Sequence, residues 1–246
     1  MNKEKRIKEK RNELVVKSNE LIRNVRYTLS EQEQKLIIYL ISNIDKNDIE
    51  LKSVNINIRE YCKITGIKST GGSVINYIKN GVKELADKSW WINTDKEILF
   101  RWIDTVSITG ENIIIKLSES LIPYVLDLKE NFTKYQAIEA LALKGKYTIR
   151  LFEVLKSYQW QGKLIIKLDE LRELINCIDK YKAYKEFNRN VLKYSINEIN
   201  NYTDLQVEYN TIKAGKKVDL IVFTIKEKAG HDSFINLFKN QSERLD

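Results

Sequence analysis

Residues 164–200 read LIIKLDELRELINCIDKYKAYKEFNRNVLKYSINEIN, and this stretch decides the fold. Leu164, Ile166 and Leu168 alternate with other residues in the period of a strand, and Asp169 is expected to cap a short helix ending near Cys177. The basic turn DKYKAYK then opens a long amphipathic helix from about Tyr184 to Asn200.

A β-hairpin is predicted after this long helix. Leu205, Val207 and Tyr209 are expected to pair with Val218, Leu220 and Val222 across a turn whose tip is KAGKK, at 213–217. Helices at about Lys134–Leu143 and Tyr147–Tyr158 precede the first strand. A helix, strand, short helix, turn, longer helix and hairpin in this order is the winged-helix arrangement.

The first half of the chain repeats this order without close sequence identity. Ser30 and Glu33 form a capping-box pattern that starts a helix behind a short helix at Leu14–Asn24. The later elements are a strand at Val54–Ile58, a short helix at Arg59–Thr65, a Gly- and Ser-rich turn at 68–73, a helix at 73–87, and strands at Trp90–Asn93, Ile98–Ile108 and Ile113–Leu117.

The sequence therefore predicts an α+β protein of two tandem winged-helix domains. The predicted limits are a flexible charged arm at 1–13, an N-terminal domain at 14–128, a C-terminal domain at 129–228 and a tail of unknown role at 229–246.

Net charge narrows the class of partner. Lys and Arg total 42 against 34 Asp and Glu, which gives +8. This excess is typical of a protein that binds nucleic acid, less often an acidic membrane, although it also serves solubility. The positions of the polar and basic residues along the chain must decide between these interpretations. They lie on the two longer helices and at the second hairpin tip: Ser73, Asn76, Lys79, Asn80 and Lys83; Lys182, Lys185, Arg189 and Lys193; and Lys213, Lys216 and Lys217.

Such positions suit double-stranded DNA. The second helix of a helix-turn-helix lies in the major groove, where Arg and Lys reach guanine and Asn pairs with adenine, while a wing contacts phosphates. For one helix alone, a solvated basic face is the simpler interpretation. Two such helices at recognition positions, with a basic wing tip, favour DNA binding.

Residues for chemistry are sparse. The single histidine, His231, cannot supply paired metal ligands, and no phosphate-binding GxxxxGK[ST] loop occurs. Cys62 and Cys177 fit no metal spacing, so we expect reduced core thiols. We expect no catalytic residue, metal, cofactor or small-molecule substrate. The N-terminus lacks the apolar core of a signal peptide and the longest uncharged apolar run is Leu36–Ile44, so we expect a cytoplasmic protein without a membrane partner.

Three stretches resemble a known family. They are VVKSNELIRNVRYTLSEQEQKLIIYLISNI at 15–44, FTKYQAIEALALKGKYTIRLFEVLKSY at 132–158, and FNRNVLKYSINEINNYTDLQVEY at 187–209 followed by KAGKKVDLIVFTIK at 213–226. The chain resembles the iteron-binding initiator replication proteins of bacterial plasmids, a Rep family with dual winged-helix domains, from about 14 to 228. Gly145 and Phe152 depart from the family, which usually has a small polar residue and a tyrosine there.

The resemblance implies binding to repeated origin sites (iterons), help in opening the origin, and recruitment of the host replication initiator and helicase machinery. It also implies a monomer–dimer equilibrium in which the dimer represses its own promoter, with the first domain supplying most of the dimer interface. By position, the recognition helices of the family fall at 73–87 and 184–199. A plain winged-helix repressor remains an alternative, and a rolling-circle DNA nickase is a second one, disfavoured by the single histidine.

Overall fold

A computed structural model describes residues 9, 12–44, 48, 50–67, 72–93, 97–126 and 128–228 of the chain. Most of the predicted arm at 1–13, residues 68–71 of the predicted turn, and the tail with His231 lie outside the described residues. Within them, helices and strands mix in both halves of the chain.

The first half contains a helix-turn-helix and a three-stranded sheet. Its elements are β1 (Leu14–Ser18), α1 (Asn19–Arg23), α2 (Glu31–Ile41), β2 (Val54–Asn57), α3 (Ile58–Thr65), α4 (Gly72–Ala86), β3 (Ser89–Asn93), β4 (Glu97–Arg101), β5 (Ile103–Thr109), β6 (Asn112–Leu117) and α5 (Ile122–Val125). Ser30 caps α2 in the predicted capping box with Glu33. The antiparallel sheet has the order β2-β6-β5, and β3 and β4 form a separate hairpin.

The second half repeats this plan. It consists of β7 (Phe132–Gln136), α6 (Ala137–Ala142), α7 (Lys146–Ser157), β8 (Lys163–Lys167), α8 (Leu168–Leu174), the long helix α9, β9 (Leu205–Ala214) and β10 (Lys217–Glu227). Helix α9 comprises α-helical Tyr184–Phe187, a π-helical turn at Asn188–Leu192 and α-helical Lys193–Tyr202. The sheet order is β8-β10-β9. In both halves, the strand before the helix-turn-helix thus pairs with the last strand of the wing.

Two predicted helices are wrong at their N-terminal ends. The segments predicted as helices Leu14–Asn24 and Lys134–Leu143 begin as β1 and β7, which pair antiparallel with Val15 opposite Tyr135. Neither strand is visible locally, because each is stabilised by a partner distant in sequence.

Smaller corrections concern Trp102 and Asp169. The strand predicted at Ile98–Ile108 is interrupted at Trp102, which is buried between β4 and β5. Asp169 does not cap α8: Lys167 holds that position without a side-chain hydrogen bond, and Asp169 lies in the first turn. A carboxylate there still interacts favourably with the helix dipole.

The predicted register of β9 and β10 is also wrong. Tyr209 lies opposite Phe223, and Val207 opposite Ile225. The core-facing residues of β10 are therefore Ile221, Phe223 and Ile225, all buried. Both faces of this strand are apolar, so alternation alone could not choose between them, and an irregularity between Val218 and Leu220 shifts the pairing by one residue.

A buried ionic network joins the N-terminal strand to α7. Lys17 Nζ donates to Glu153 Oε1 at 2.6 Å, and Tyr135 Oη donates to the same oxygen at 2.5 Å. Arg150 donates to the carbonyl oxygens of Ile22 and Val25 at 2.7 and 2.9 Å. Burial opposes ionisation of Glu153, but Lys17 and Arg150 together hold the pKa of its carboxyl below the ordinary value.

One hydrophobic core runs through both halves of the described chain. The pairing of β1 with β7 and the ionic network both cross the predicted limit between residues 128 and 129, and the limits 14–128 and 129–228 stay a prediction. Cys62 and Cys177 are buried and free, as the sequence predicts.

We expect the substitution Lys17→Ala to lower the free energy of unfolding by ~3–5 kcal/mol, because it leaves a buried carboxylate without its main partner. Urea denaturation at neutral pH measures this loss. Because the pKa of Glu153 is lower in the folded chain, its contribution is present above about pH 4.5 and is lost as the pH falls through the folded value.

The matched control is Lys116→Ala. Lys116 pairs with Glu119 at 2.9 Å on the surface, so its loss should cost ~1 kcal/mol or less. Equal effects of the two substitutions would contradict the role given to Lys17.

Candidate nucleic-acid interface

The polar face of α9 is exposed as predicted. Lys182, just before the helix, and Lys185, Arg189 and Lys193 on it are all exposed, whereas Phe187, Val191 and Leu192 are fully buried. Burial of the apolar face fixes the rotation of the helix. The basic side chains consequently project together into solvent.

Arg189 lies inside the π-helical turn of α9. The backbone N–H of Lys193 donates to the carbonyl oxygen of Asn188, five residues earlier, instead of four. One extra residue in the turn changes the direction in which the following side chains leave the helix. Such turns are rare and are frequent at functional sites.

Helix α4 presents a more neutral face. Ser73, Asn76, Asn80 and Lys83 are exposed and Lys79 is half-buried. Ile78, Val82 and Leu85 fill the core on the other side. The exposed amides can donate and accept, as direct reading of adenine requires.

The two wings differ in charge at their tips. In the second half, Lys213, Lys216 and Lys217 are exposed around the turn at Gly215. In the first half, Glu111 at the tip accepts two hydrogen bonds from Arg59, at 2.6 and 2.7 Å. The hydrogen bonds from Arg59, with a smaller contribution from Lys79, lower the pKa of Glu111. Of these two tips, the second therefore suits phosphate better.

A polar groove of about 560 Å³ lies between α9 and β9. Tyr209 Oη donates to Asn188 Oδ1 at 2.5 Å, which leaves the amide N–H groups of Asn188 available as donors. Sequence reasoning missed this groove because its lining comes from two elements. The available signal was the concentration of asparagine between 188 and 210. The lining residues are Tyr184, Asn188, Lys193, Ile196, Asn197, Asn200, Tyr209, Asn210 and Thr211.

Hydrogen bonds connect α4 to the N-terminal turn of α2, and that turn of α2 to the start of α7. Gln32 on α2 donates to the carbonyl oxygen of Tyr77 on α4 at 3.0 Å, and a side chain at Gly81 would collide with Gln32. Glu31 accepts from the backbone N–H of Gly145 at 2.7 Å. Gly145 has a φ of +86°, so a glycine here avoids the strain that a residue with a side chain would meet in this conformation.

Helix α7 is in turn bonded to α9. The hydroxyls of Thr148 and Ser195 are 3.0 Å apart in the core, and Glu198 accepts from the backbone N–H of Lys144 at 3.1 Å. The two candidate recognition helices are thus joined through α2 and α7 by direct hydrogen bonds. We refer to these contacts, from Tyr77 to Glu198, as the bridge.

The repeated sheet order, the two exposed recognition helices and the basic wing define a DNA-binding protein with two winged-helix domains. Two family matches agree: residues 14–156 match the family described as "Initiator Replication protein, WH1", and residues 167–225 match "Initiator Rep protein, WH2". The chain belongs to this family of initiator replication proteins, which confirms the resemblance seen in the sequence and makes it a plasmid replication initiator.

Two individual proteins are similar to this chain at low sequence identity. The chain is 26% identical over 242 residues to a replication initiation protein of Escherichia coli, covering 93% of this chain and 75% of the relative. It is also similar to the crystal structure of the WH1 domain of MSBI1.176, a replication protein isolated from a multiple sclerosis patient. That similarity has 18% identity and a TM-score of 0.31, and covers 39% of this chain and 80% of the other.

Within the part of the chain that the structure describes, no group of three or more His, Cys, Asp or Glu side chains could hold a metal ion. Nor is any described helix long and apolar enough to cross a bilayer.

Tyr209→Phe should weaken DNA binding about three- to tenfold, the equivalent of one net hydrogen bond of ~0.5–1.5 kcal/mol, because Asn188 would lose its orientation. Affinity for the specific duplex and the temperature of unfolding should be measured together. Tyr202→Phe, on the same helix but outside the groove, is the control. Equal affinity of the two variants would contradict a role for the groove.

Proposed function

We propose that this initiator binds repeated sites at its plasmid origin through both winged-helix domains, helps to open the origin, and recruits the host replication initiator and helicase machinery. As a dimer it represses its own promoter. It acts by binding and has no catalytic activity of its own, so nicking of a supercoiled plasmid would contradict the proposal. The observation that supports this proposal is the bridge, because its hydrogen bonds connect the two candidate recognition helices, α4 and α9.

Each recognition helix needs a major groove. Successive major grooves on one face of B-DNA lie ~34 Å apart, a distance that two domains of ~100 residues can span side by side. With the helices joined through the bridge, no free linker has to be ordered on binding. A monomer therefore covers a non-palindromic site of about two turns, read in two blocks.

The residues divide into two roles. Lys182, just before α9, and Lys185, Arg189 and Lys193 on it face the bases or the adjacent backbone, and Arg189 is the guanine reader. On α4, Ser73, Asn76, Lys79, Asn80 and Lys83 read the other block. The lysines of the second wing, Lys213, Lys216 and Lys217, hold phosphate.

Self-association is assigned to the hairpin of β3 and β4. This sheet has only two strands among the described residues, so its edges are open to pairing. Ile98 and Leu99 on β4 are each 43% exposed. Two copies joined here would read a two-fold symmetric promoter site, because symmetric dimers read symmetric DNA.

Hydroxyl-radical footprinting of the monomer on a selected site tests the two-block proposal. Lys79→Ala and Arg189→Ala should each lose protection in a different block, one turn apart. Tandem copies of the site at an origin would support the initiator role, and a single operator would favour a plain repressor. Loss in the same block from both variants would show that one domain alone reads DNA.

Arg189→Ala should cost ~1–3 kcal/mol of binding and relax the preference at one base pair, because a bidentate contact to guanine discriminates bases. Lys216→Ala should instead weaken all sequences alike. Competition binding over a set of single-base variants of the site distinguishes the two patterns. A uniform loss from both substitutions would refute the division of roles.

Leu99→Lys should shift the chain to monomer, since a buried lysine without a partner is costly in a dimer interface. Sedimentation velocity at several concentrations measures the shift. Ile114→Lys, at a similarly exposed isoleucine on β6, is the control and should leave the equilibrium unchanged. A dimer that survives Leu99→Lys would place the interface elsewhere.

A further inference from the structure

The outer face of the second sheet carries a group of aliphatic side chains. The core side of β10 is occupied by Ile221, Phe223 and Ile225, so the alternate residues face outward. Ile165 on β8 lies opposite Val222, and Leu220 lies opposite Ile212 on β9. Ile165 is 52% and Ile212 49% exposed. These four residues, Ile165, Ile212, Leu220 and Val222, form what we term the aliphatic stripe.

The first sheet provides an internal comparison. It has the same strand order, and its outward positions around Ile114 are Asn55 and Ser107, with Thr105 opposite Lys116. One exposed isoleucine among polar neighbours is ordinary for a soluble surface. The winged-helix sheet thus does not require aliphatic residues on its outer face, and a contiguous set of them in the second sheet indicates a contact with another molecule.

Charge around the stripe indicates what kind of molecule fits. Lys163 and Lys167 flank Ile165 on the same strand and the same face, and Lys226 lies on that face of β10; all three are exposed. Two other polar residues of β9 lie on this face: Glu208, opposite Thr224, and Asn210, opposite Val222. A segment whose aliphatic side chains are flanked by carboxylates complements this pattern.

Ile165 also lines a groove of about 540 Å³ along β8, whose charged lining residues are Glu20, Arg23 and Glu170. The carboxylates of a bound segment would therefore face the lysines of the outer face and not the groove. Among the described strands, β8 pairs with β10 on one side, and its other edge is open. Across the groove, the guanidinium of Arg23 lies 3.9 Å from the centre of the Tyr158 ring. An open edge beside such a groove can accept an extended peptide as an added strand. Trp160, in the turn before β8, is 81% exposed.

The outer face lies on the opposite side of the second sheet from the candidate recognition helix α9. Asn200 of α9 bonds to the backbone of Val207 at 2.7 and 2.9 Å, which places the helix over the core side of the sheet. The outer face therefore points away from the helix that enters the major groove. Trp160 and the start of β8 lie beside the end of β10, at the opposite end of that strand from the wing tip, because Ile225 donates to the carbonyl oxygen of Gly162.

We propose that β8 and the aliphatic stripe dock an extended segment of another protein, in which aliphatic side chains are flanked by Asp or Glu. The segment adds as a strand to the open edge of β8 and covers Ile165. The inference rests on the proposed function only in that recruitment needs a surface free of DNA.

The test selects short random peptides, displayed on phage, against the full-length chain bound to its DNA site. We expect enriched peptides with aliphatic residues flanked by Asp and Glu. Ile165→Glu should weaken their binding about tenfold or more, as expected for the loss of a central contact. Ile114→Glu, the equally exposed control in the first sheet, should leave peptide binding unchanged.

Lys163→Glu combined with Lys167→Glu provides a second variant, which alters only exposed side chains. It should weaken peptide binding to the same extent, and it keeps the test available if Ile165→Glu fails to fold. Enriched peptides without carboxylates, or binding that survives both changes, would overturn the proposal. So would a self-associated chain that Ile165→Glu converts to monomer, because a second copy would then occupy the surface. The selection is repeated on the chain without DNA, and DNA affinity is measured in parallel. Absence of DNA affinity in the unaltered chain would refute the proposed function, whereas peptide binding by the DNA-free chain, and its loss in the variants, would still test the docking surface.

Discussion

Lys17 and Glu153 meet where neither can be hydrated, and the arrangement of both halves depends on that contact. Lys17 Nζ and Glu153 Oε1 are 2.6 Å apart, and both side chains are nearly inaccessible to solvent. A buried ion pair adds little net stability over an apolar pair, but breaking it is costly, so it specifies where β1 lies rather than how tightly it is held. With β1 against β7, and Arg150 bonded to the carbonyl oxygens of Ile22 in α1 and Val25 just after it, β1 and α1 are fixed to α7. Helix α7 then contributes to the bridge.

The sequence was sufficient where structure is set by local spacing. The capping box at Ser30, the apolar faces of α4 and α9, and the exposure of the polar residues on them follow from a period of 3.6 residues. The order of elements gave the fold class, which the family matches confirm. Within the candidate site, the basic stripe was predictable for the same reason, and the wing tip was predictable from the KAGKK turn between two strands, although their contacts with DNA stay a prediction.

The remaining features depend on contacts between distant segments. The strand β1 acquires its conformation from β7, and the register of β10 is decided by packing, because its sequence is apolar on both faces. The π-helical turn at Asn188–Leu192 places one extra residue in α9, which a regular wheel cannot show. The asparagine groove is assembled from a helix and a strand. In each case the missing information is a tertiary partner, and no propensity scale contains it.

The bridge also has a consequence for the DNA. Under the proposed function, two reading helices on a flexible tether would tolerate variation in the angle between their grooves, whereas helices bonded through α2 and α7 would leave that adjustment to the double helix. Any mismatch in helical phase between the two blocks must then be met by twisting or bending the duplex, and this costs energy that depends on the sequence between them. Under the proposed function, the chain is sensitive to torsion, so the supercoiling of the plasmid would itself influence how well the origin is bound.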